Sequence, residues 1–406
     1  MEISGLKVLI VIFEQLFPLS GGGTPRISNI VKSFTKDNHK VYVAAAIGKK
    51  KEKAMEKLNC IDLLPLLNVS RISSKKFVKY LYAYPVNILK TVNYAKKVKP
   101  DLIICHNSIA GFAGLMSKNF RTYTILDLTD LLFEYLEDYK GKEWIKLVQI
   151  LGRWIERKVI LKSDRIVTIS ESMKKILKDY GVDTRKVDVI YDGVDTQVFK
   201  PFKEKKLRKK YGENAKNIVI FQGVIDPQDA PQILVDAAKI VLKKHPDTIF
   251  WIVGDGTAVP QLKKRISAYK LEDKFYFSGW MIQKEVVKYI SNSDIGLVIL
   301  PDILSARGRV TLKEFEYWAC RIPAIVPCLP ALKEVVQENE TGLFYQPGNS
   351  ESLAEKINLL IEDKELREKM GENGMRIVKE RFEWQKLTDE FVKRCENYIN
   401  ERKIIL

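Results

Sequence analysis

Short apolar runs alternate with longer amphipathic segments along the chain, and this alternation occurs twice. The apolar runs of the first half are mostly rich in Val and Ile, which is typical of parallel strands covered on both faces. They lie at residues 7–13, 41–47, 101–105, 122–126, 165–169 and 187–191. Residues 27–36 and 144–162 carry apolar side chains at helical spacing. The first half is therefore predicted to be a doubly wound α/β domain.

The second half repeats this architecture after a charged stretch at residues 201–216, which suits a linker or a surface helix. Strands are predicted at residues 217–222, 248–253, 274–278, 294–300 and 323–327. Helices are predicted at residues 230–244, 258–270, 284–292, 310–319 and, with two breaks, 350–406. Two doubly wound, Rossmann-like domains that face each other across a cleft bind ligands beyond the carboxyl ends of their strands. We therefore expect functional residues in loops that directly follow strands.

Composition narrows the class of protein. Of the 406 residues, 46% are hydrophobic, which excludes a chain that is disordered throughout. The five cysteines form no CxxC pair and no cluster typical of a metal site, which favours a reducing cytosol. No apolar run approaches the roughly 18 residues of a membrane-spanning helix. These features predict a cytoplasmic protein that is soluble or bound to a membrane surface.

The positive charge is concentrated in the first half. The chain carries a formal net charge of +17, and residues 36–99 alone hold 15 basic and 4 acidic side chains. Apolar and aromatic residues are interleaved with these lysines, including those at 63–67. Basic amphipathic stretches of this kind lie on anionic membranes, and a solvated Lys-rich surface is the alternative. No segment resembles a nucleic-acid-binding module.

A glycine loop follows the first predicted strand. Gly21, Gly22 and Gly23 stand immediately before a helix. Glycines let backbone amides approach an anion, and a helix N-terminus favours negative charge. The loop has neither the GxGxxG pattern nor the Lys-Ser/Thr of a P-loop. An anion-binding loop and a flexible turn both fit it.

Polar residues follow the third and fourth predicted strands. His106 comes directly after one strand, where a residue that contacts substrate would stand, although a packed loop histidine is the alternative. Asp127 and Asp130 come after the next strand. Paired carboxylates could bind a metal or a polar substrate or act as a base, and one of them would suit a helix N-cap.

Glycines also end three strands of the second half, as in a crevice lined by backbone. They are Gly223, Gly254 and Gly279. Each alone is a weak signal, because glycine commonly terminates strands.

Residues 305–323 carry the strongest chemical signal. Lys313 and Glu316 stand three apart on a predicted helix and share one face, and Arg307 and Arg309 precede them. A cation and a carboxylate at a helix N-terminus could hold a diphosphate and sugar hydroxyls. The alternative is a surface ion pair worth tenths of a kcal/mol.

These segments together resemble a retaining glycosyltransferase of the GT-B fold, in the large family-four group (glycosyl transferases group 1). The resemblance runs over nearly the whole chain and is carried by the order of many short motifs. They are the glycine loop, DLIICH ending at His106, SDRIVTISES, YDGVDTQVFKP, IVGDG, FSGW, KEFEYWACRIPAIVP, ETGLFYQPGN and FEWQ.

The resemblance implies a domain plan and a reaction. It implies an acceptor-binding domain at residues 1–200, a nucleotide-sugar-binding domain at 201–381, and a last helix at 382–406 that returns to the first domain. Such enzymes retain the anomeric configuration, need no metal, and use a UDP- or GDP-linked sugar as co-substrate without a further cofactor. The acceptor expected here is a lipid-linked glycan or glycolipid at an anionic membrane surface, reached from the cytoplasm.

The resemblance also implies roles for residues. His106 matches the histidine near the reacting sugar and is the expected catalytic residue, while Glu316 matches the glutamate that contacts the nucleotide ribose. The donor-binding residues expected are Gly22, Gly223, Gly254, Gly279, Arg307, Arg309, Lys313 and Glu316. The acceptor-binding residues expected are Gly21, Gly23, Asp127 and Asp130.

Three positions depart from the family pattern. The first glutamate of the family's pair falls on Gly308, and the Arg and Lys that grip the donor diphosphate fall on Val224 and Asp229. Each lost charge-assisted contact is worth about 1.5–3 kcal/mol. We expect Arg307 and Arg309 to supply the replacement charge. A catalytically weak or inactive GT-B protein that binds a partner, and a sugar-nucleotide epimerase, are the alternatives.

Overall fold

The computed structural model describes residues 5–17, 22–47, 51–68, 82–134, 143–202, 205–212 and 215–405. Contacts divide the chain into two compact units, one of Met1–Tyr191 with Trp384–Leu406 and one of Asp192–Glu383. Gly21 and the lysines at 49, 50, 75, 76 and 79 of the predicted amphipathic stretch lie outside the described residues. Each unit is built on one parallel sheet, so the predicted class of two doubly wound α/β domains is confirmed.

The first unit has a seven-stranded sheet in which β4 is the central strand, next to β1. In chain order its strands are β1 (Lys7–Phe17), β2 (Lys40–Ile47), β3 (Asp62–Leu66), β4 (Leu102–His106), β5 (Tyr123–Leu128), β6 (Arg165–Thr168) and β7 (Val187–Val189). The spatial order is β3-β2-β1-β4-β5-β6-β7, and all pairs are parallel. The apolar run of β1 is fully buried because helices cover both faces of the sheet.

Helices of the first unit come from both ends of the chain. They are α1 (Gly23–Lys36), α2 (Lys51–Leu58), α3 (Tyr84–Val98), α4 (Asn107–Ser117), α5 (Glu143–Lys162), α6 (Glu171–Asp179) and the last helix, α16 (Trp384–Ile405). The predicted return of the last helix to the first unit is confirmed. Phe391 and Cys395 of α16 are buried in the core beside Phe34, and Ser33 Oγ lies 2.7 Å from Thr388 Oγ1.

The second unit has a six-stranded parallel sheet. Its strands are β8 (Asn217–Val224), β9 (Thr248–Asp255), β10 (Phe275–Gly279), β11 (Ile295–Leu297), β12 (Ala324–Pro327) and β13 (Gly342–Tyr345), in the spatial order β10-β9-β8-β11-β12-β13. Its helices are α7 (Lys205–Gly212), α8 (Gln232–Lys244), α9 (Val259–Ala268), α10 (Gln283–Ser291), α11 (Leu304–Arg307), α12 (Leu312–Ala319), α13 (Leu332–Val335), α14 (Ser350–Glu362) and α15 (Lys364–Arg381).

Two strands were missed by the sequence analysis, and one of them corrects an interpretation. The edge strand β3 buries Leu63 and Leu66 in the core, so assigning these residues to an amphipathic surface stretch was wrong. β13 is the other missed strand, also at a sheet edge. β3 contains Pro65, and a proline within an apolar run weakens the signal for a strand. Among the described residues, no helix is both long and apolar enough to cross a membrane.

Candidate functional site

In the first unit, two strand ends bring a histidine and a carboxylate together. His106 is the last residue of β4 and pairs in register with Asp127 of β5. The His106 Nδ1 atom lies 3.0 Å from Asp127 Oδ2, and both side chains are buried. His106 thus stands within the strand end rather than after it, and the register of the sheet joins two of the predicted site residues.

A third residue, which the sequence analysis missed, completes this cluster. Arg26 of α1 is 1% exposed, and its Nε donates to Asp127 Oδ1 over 2.9 Å. Its Nη1 donates to the carbonyl oxygens of Ile190 and Tyr191 at 3.0 and 3.1 Å. An arginine one turn after a glycine loop gives no strong signal in a single sequence, since most arginines at helix starts are exposed.

The contacts among Arg26, Asp127 and His106 shift the pKa of both the carboxyl group and the imidazole. Burial alone would raise the pKa of Asp127, but the charge of Arg26 and the hydrogen bond to His106 hold it below its usual value. Burial alone would lower the pKa of His106, but the hydrogen bond and charge of Asp127, with the charge of Glu14, raise it above its usual value. The cluster therefore keeps Asp127 ionised and favours the imidazolium form of His106.

The second ring nitrogen of His106 faces Gly23 at the start of α1. Asn107 Nδ2 lies 3.3 Å from His106 Nε2, while Asn107 Oδ1 accepts from the backbone amides of Thr129 and Asp130. Glu14 Oε1 lies 3.9 Å from the same Nε2 atom. With Nδ1 directed at Asp127, Nε2 is the atom through which His106 can exchange a proton or a hydrogen bond with a substrate.

Glycine is required where the loop meets this nitrogen. A Cβ atom on Gly23 would stand 2.0 Å from His106 Nε2, so the approach of α1 to the histidine excludes any side chain there. Gly22 is the residue before α1, and nothing lies within 4 Å of its Cβ position. Asp130 caps no helix in the described residues 129–134; its amide donates to Asn107. The structure thus joins Gly23, His106 and Asp127.

In the second unit, α12 directs a cation and a carboxylate at the end of β8. Thr311 and Glu314 form a capping box that fixes the start of this helix. A Cβ atom on Gly223 would stand 3.0 Å from Lys313 Cε and 3.6 Å from its Nζ, so the lysine lies directly over the glycine. Gln222 Nε2 donates to Glu316 Oε2 over 2.6 Å. Lys313 and Glu316 do share a face, as their spacing predicted.

Glu316 has an unusual protonation equilibrium. Burial raises its pKa to about 7, although the hydrogen bond from Gln222 and the charge of Lys313 act in the opposite direction. Near neutral pH the carboxyl is thus divided between its acid and its ionised forms. Gln222 was not anticipated as a site residue, because an amide inside an apolar strand run gives no functional pattern.

The ends of β8 and β9 approach each other too closely for side chains. Gly223 and Gly254 both have positive φ, at 121° and 141°. A Cβ atom on Gly254 would stand 1.9 Å from the carbonyl oxygen of Gly223. Gly279 ends β10, the edge strand, and nothing lies within 4 Å of its Cβ position. Backbone therefore lines this edge of the sheet at Gly223 and Gly254.

The two arginines expected to replace lost charge both form ion pairs. Arg307 Nε lies 2.6 Å from Asp302 Oδ1, and both side chains are about half exposed. Arg309 Nη2 lies 2.8 Å from Asp229 Oδ1, and this pair is largely buried. Asp229 is the residue that stands where the resemblance places a lysine, so Arg309 neutralises that carboxylate. Val224, at the arginine position, is 51% exposed.

Family models match both halves of the chain. The model described as glycosyl transferases group 1 matches residues 203–376, within the second unit. The model described as Glycosyltransferase Family 4 matches residues 20–198, which include most of the first unit. Together the two matches include most of the chain.

Similar proteins that are named as glycosyltransferases agree with these family models. The alpha-D-kanosaminyltransferase of Streptomyces kanamyceticus is 24% identical over 248 residues, which are 59% of this chain and span 62% of that protein. An uncharacterized glycosyltransferase of Methanocaldococcus jannaschii is 26% identical over 378 residues, 91% of this chain and 93% of that protein. The UDP-Gal:alpha-D-GlcNAc-diphosphoundecaprenol alpha-1,3-galactosyltransferase of Escherichia coli is 26% identical over 326 residues, 77% and 78% of the two chains.

A solved structure has the same fold. The Anabaena protein HepE, crystallised with UDP-glucose, superposes with a TM-score of 0.75 and is 21% identical. The alignment covers 97% of this chain and 100% of that chain. At this level of identity the likeness concerns the fold.

The His106–Asp127 contact predicts a change in titration. In Asp127→Asn the pKa of His106 should fall below that of the wild type, because burial remains and the charge that opposes it is gone. The measurement is the ¹H–¹³C chemical shift of the imidazole against pH, with His245 of the second unit as internal reference.

Asp127→Asn also strips Arg26 of its carboxylate partner, so a second variant is needed in case the first does not fold. Glu14→Gln removes a partly exposed charge and should lower the pKa of His106 by less. A wild-type histidine with a pKa below the ordinary 6.5, or no decrease in either variant, would contradict the assignment.

Proposed function

The chain belongs to the group 1 glycosyl transferases of the GT-B fold, and we propose that it transfers sugar with retention and without a metal. The general reaction of this class is transfer of a sugar from a nucleotide donor to an acceptor. The finer proposal is a nucleoside-diphosphate sugar as the only co-substrate and a lipid-linked glycan or glycolipid as the acceptor. The enzyme would work in the cytoplasm, peripherally on the inner face of the cell membrane.

One observation carries the donor assignment, namely the convergence of Lys313 and Glu316 on the glycine end of β8. A carboxylate that accepts hydroxyl hydrogen bonds suits a ribose, and an ammonium close to an exposed backbone turn suits a phosphate. Among the residues that the structure describes, no carboxylate pairs with the Lys313 ammonium. We therefore assign the nucleoside diphosphate to this edge of the second sheet.

The donor site differs from the family pattern in the placement of its charge. Lys313 contributes a cation, whereas Arg309 is held by Asp229. The proposed contribution of Arg309 is to cancel the carboxylate that replaces a lysine, so that the diphosphate meets a neutral pair. Arg307, in its exposed pair with Asp302, is proposed to contribute less.

The first unit supplies the proposed catalytic residue. His106 presents Nε2 beside Gly23, with its other nitrogen fixed by Asp127 and its charge favoured by that carboxylate. An imidazolium can donate a hydrogen bond to a sugar hydroxyl and stabilise negative charge that develops on the departing phosphate. The acceptor is proposed to bind near Gly23 and Asp130.

A lipid-linked acceptor agrees with the name of one relative. The Escherichia coli enzyme is named for a diphosphoundecaprenol acceptor and for UDP-galactose as donor. The first-half excess of positive charge supports an anionic surface as the place of reaction.

Transfer with retention is tested with the purified protein and a panel of UDP- and GDP-linked sugars. We expect slow release of free nucleoside diphosphate from one donor, unchanged by EDTA, and faster release with an undecaprenyl-diphosphate-linked sugar. The anomeric proton coupling of the product, read by NMR, should match that of the donor.

Other outcomes of this assay would replace the proposal. Inversion of the anomeric configuration would overturn retention. A changed sugar on the same nucleotide would identify an epimerase, and tight donor binding with no turnover would identify a binding protein. His106→Ala should reduce turnover while leaving donor affinity within about threefold, since the histidine belongs to the other unit.

The pKa of Glu316 predicts how donor affinity varies with pH. The ionised carboxylate accepts stronger hydrogen bonds than the neutral acid, so UDP-glucose should bind up to about tenfold more tightly at pH 8 than at pH 6. Neither phosphate of this diester titrates in that interval. Glu316→Gln should remove the dependence, as measured by calorimetry.

Glu314→Gln is the matched control for this prediction. Burial also raises the pKa of Glu314 to about 7, but its carboxyl bonds Thr311 in the capping box, where glutamine can substitute. This variant should keep the pH dependence. Loss of the dependence in Glu314→Gln and its survival in Glu316→Gln would refute the assignment of the ribose to Glu316.

The Arg309–Asp229 pair predicts a coupled effect on donor affinity. Arg309→Ala should weaken UDP-glucose binding by about 10- to 150-fold, because the carboxylate is left unpaired beside the diphosphate. Asp229→Asn should strengthen binding, and the double variant Arg309→Ala/Asp229→Asn should return to near the wild-type affinity.

Arg307→Ala is the control, because Arg307 is also paired with a carboxylate but is about half exposed. This variant should change the affinity for UDP-glucose by less than about threefold. If the double variant bound as weakly as Arg309→Ala alone, Arg309 would contact the diphosphate itself. That result would overturn the neutralising role.

A further inference from the structure

Helix α5 of the first unit is apolar on two faces, although only one face contacts the core. Ile155, Val159 and Ile160 pack against the sheet in a cluster that includes Leu126 and Leu128. The opposite face exposes four more large apolar side chains. They are Ile150, Leu151, Trp154 and Leu161, which are 66%, 58%, 55% and 42% exposed.

These side chains form one stripe along the helix, interrupted by basic residues before Leu161. At 100° per residue, the positions of Ile150, Trp154, Leu161 and Leu151 fall within an arc of about 100°, and the stripe runs for about 16 Å along the axis. Isolated exposed apolar residues are ordinary on protein surfaces, but several on one side of a single helix indicate an interaction site. The fold does not need these side chains, because the opposite face of α5 already supplies the core.

Among the described side chains of α5, from residue 149 onward, the exposed charges are all positive. Arg157, Lys158 and Lys162 are exposed beside or between the apolar residues, and none of them pairs with a carboxylate in the part of the chain that the structure describes. The Lys158 ammonium lies 3.9 Å from the centre of the Trp154 ring. The acidic residue of this stretch, Glu156, turns inward and accepts from Ser108 Oγ over 2.7 Å.

We infer that this face of α5, the docking face, binds the surface of an anionic bilayer. The face combines aliphatic side chains with a tryptophan, whose indole suits the headgroup region, and three unpaired cations that suit anionic lipids. A protein partner, or a second copy of this chain, would need carboxylates to meet these cations. The inference rests on the proposed peripheral membrane function and adds the surface by which it occurs.

This assignment moves the membrane contact away from the stretch that the sequence suggested. Within that stretch, β3 and the buried side of α3 belong to the core of the first unit. The docking face instead lies on a helix with a modest excess of charge, where the distinguishing feature is exposure of apolar residues rather than the number of lysines.

Vesicle sedimentation tests the docking face with the full-length protein. We expect wild type to sediment with vesicles of equal parts phosphatidylcholine and phosphatidylglycerol, and far less with pure phosphatidylcholine. The variant Ile150→Ser/Trp154→Ser/Leu161→Ser should lose at least about tenfold in partition to the anionic vesicles, and so should Arg157→Gln/Lys158→Gln/Lys162→Gln.

A matched control removes exposed leucines elsewhere. Leu89→Ser/Leu359→Ser replaces side chains that are 60% and 39% exposed, outside α5, and should bind vesicles as wild type does. The affinity of each variant for UDP-glucose, measured without vesicles, should equal that of wild type. Equal affinity would show that the fold and the donor site are intact.

The outcomes separate the inference from the proposed function. If wild type binds anionic vesicles and both α5 variants bind equally well, the docking face is wrong while peripheral association stands. If wild type fails to bind any vesicle, both are wrong. If wild type forms a dimer by sedimentation velocity that the serine variant abolishes, and binds no vesicle, the face is a contact between copies and the bilayer is excluded.

Discussion

One buried carboxylate organises the candidate catalytic edge of the first unit. Asp127, on β5, accepts from Arg26 of α1 and contacts His106 at the end of β4, while Arg26 also reaches the carbonyl oxygens that follow β7. Removing one partner of a buried ion pair typically costs about 3–5 kcal/mol, because the other charge is left without compensation. The position of the imidazole and the position of α1, which carries Arg26, both depend on this interaction.

The pKa of a buried carboxyl group is shifted in opposite directions in the two units. Asp127 has a cation and an imidazole as partners, so its pKa is held low in spite of complete burial. Glu316 has an amide donor and a lysine that lies over a neighbouring glycine, and burial raises its pKa to about 7. The first arrangement keeps Asp127 ionised, as is required of a group that orients His106. The second arrangement leaves the Glu316 carboxyl able to change its ionisation when a ligand binds. A group that binds hydroxyls can use this change.

Much of the fold could be predicted from the sequence, because buried parallel strands leave long apolar runs. The runs at β1, β2, β5, β8 and β9 are examples, and the return of α16 was implied by the resemblance. The edge strands β3 and β13 were missed, whereas the edge strands β7 and β10 were predicted. In β3, Pro65 weakens the strand signal, because a proline within an apolar run argues against a strand. The candidate site was anticipated at His106, beside the end of a predicted strand, and at Lys313, from its spacing to Glu316 on a predicted helix. Arg26 and Gln222 were missed because their roles depend on which elements lie side by side, which a single sequence does not reveal.

Charge at the proposed donor edge is the constraint that most distinguishes this chain. A site with an arginine and a lysine beside the diphosphate would offer two cations, whereas this edge offers Lys313 together with a neutral Arg309–Asp229 pair. Coulomb energy between near charges in a partly buried site amounts to a few kcal/mol at an effective dielectric constant of about 20. The backbone amides at the start of α12 and at the glycine turn can compensate in part, because a helix N-terminus carries roughly half a positive charge. Donor affinity in this chain should therefore depend more on backbone geometry, and hence on the close packing of Gly223 against Gly254, than in a site built around two free cations.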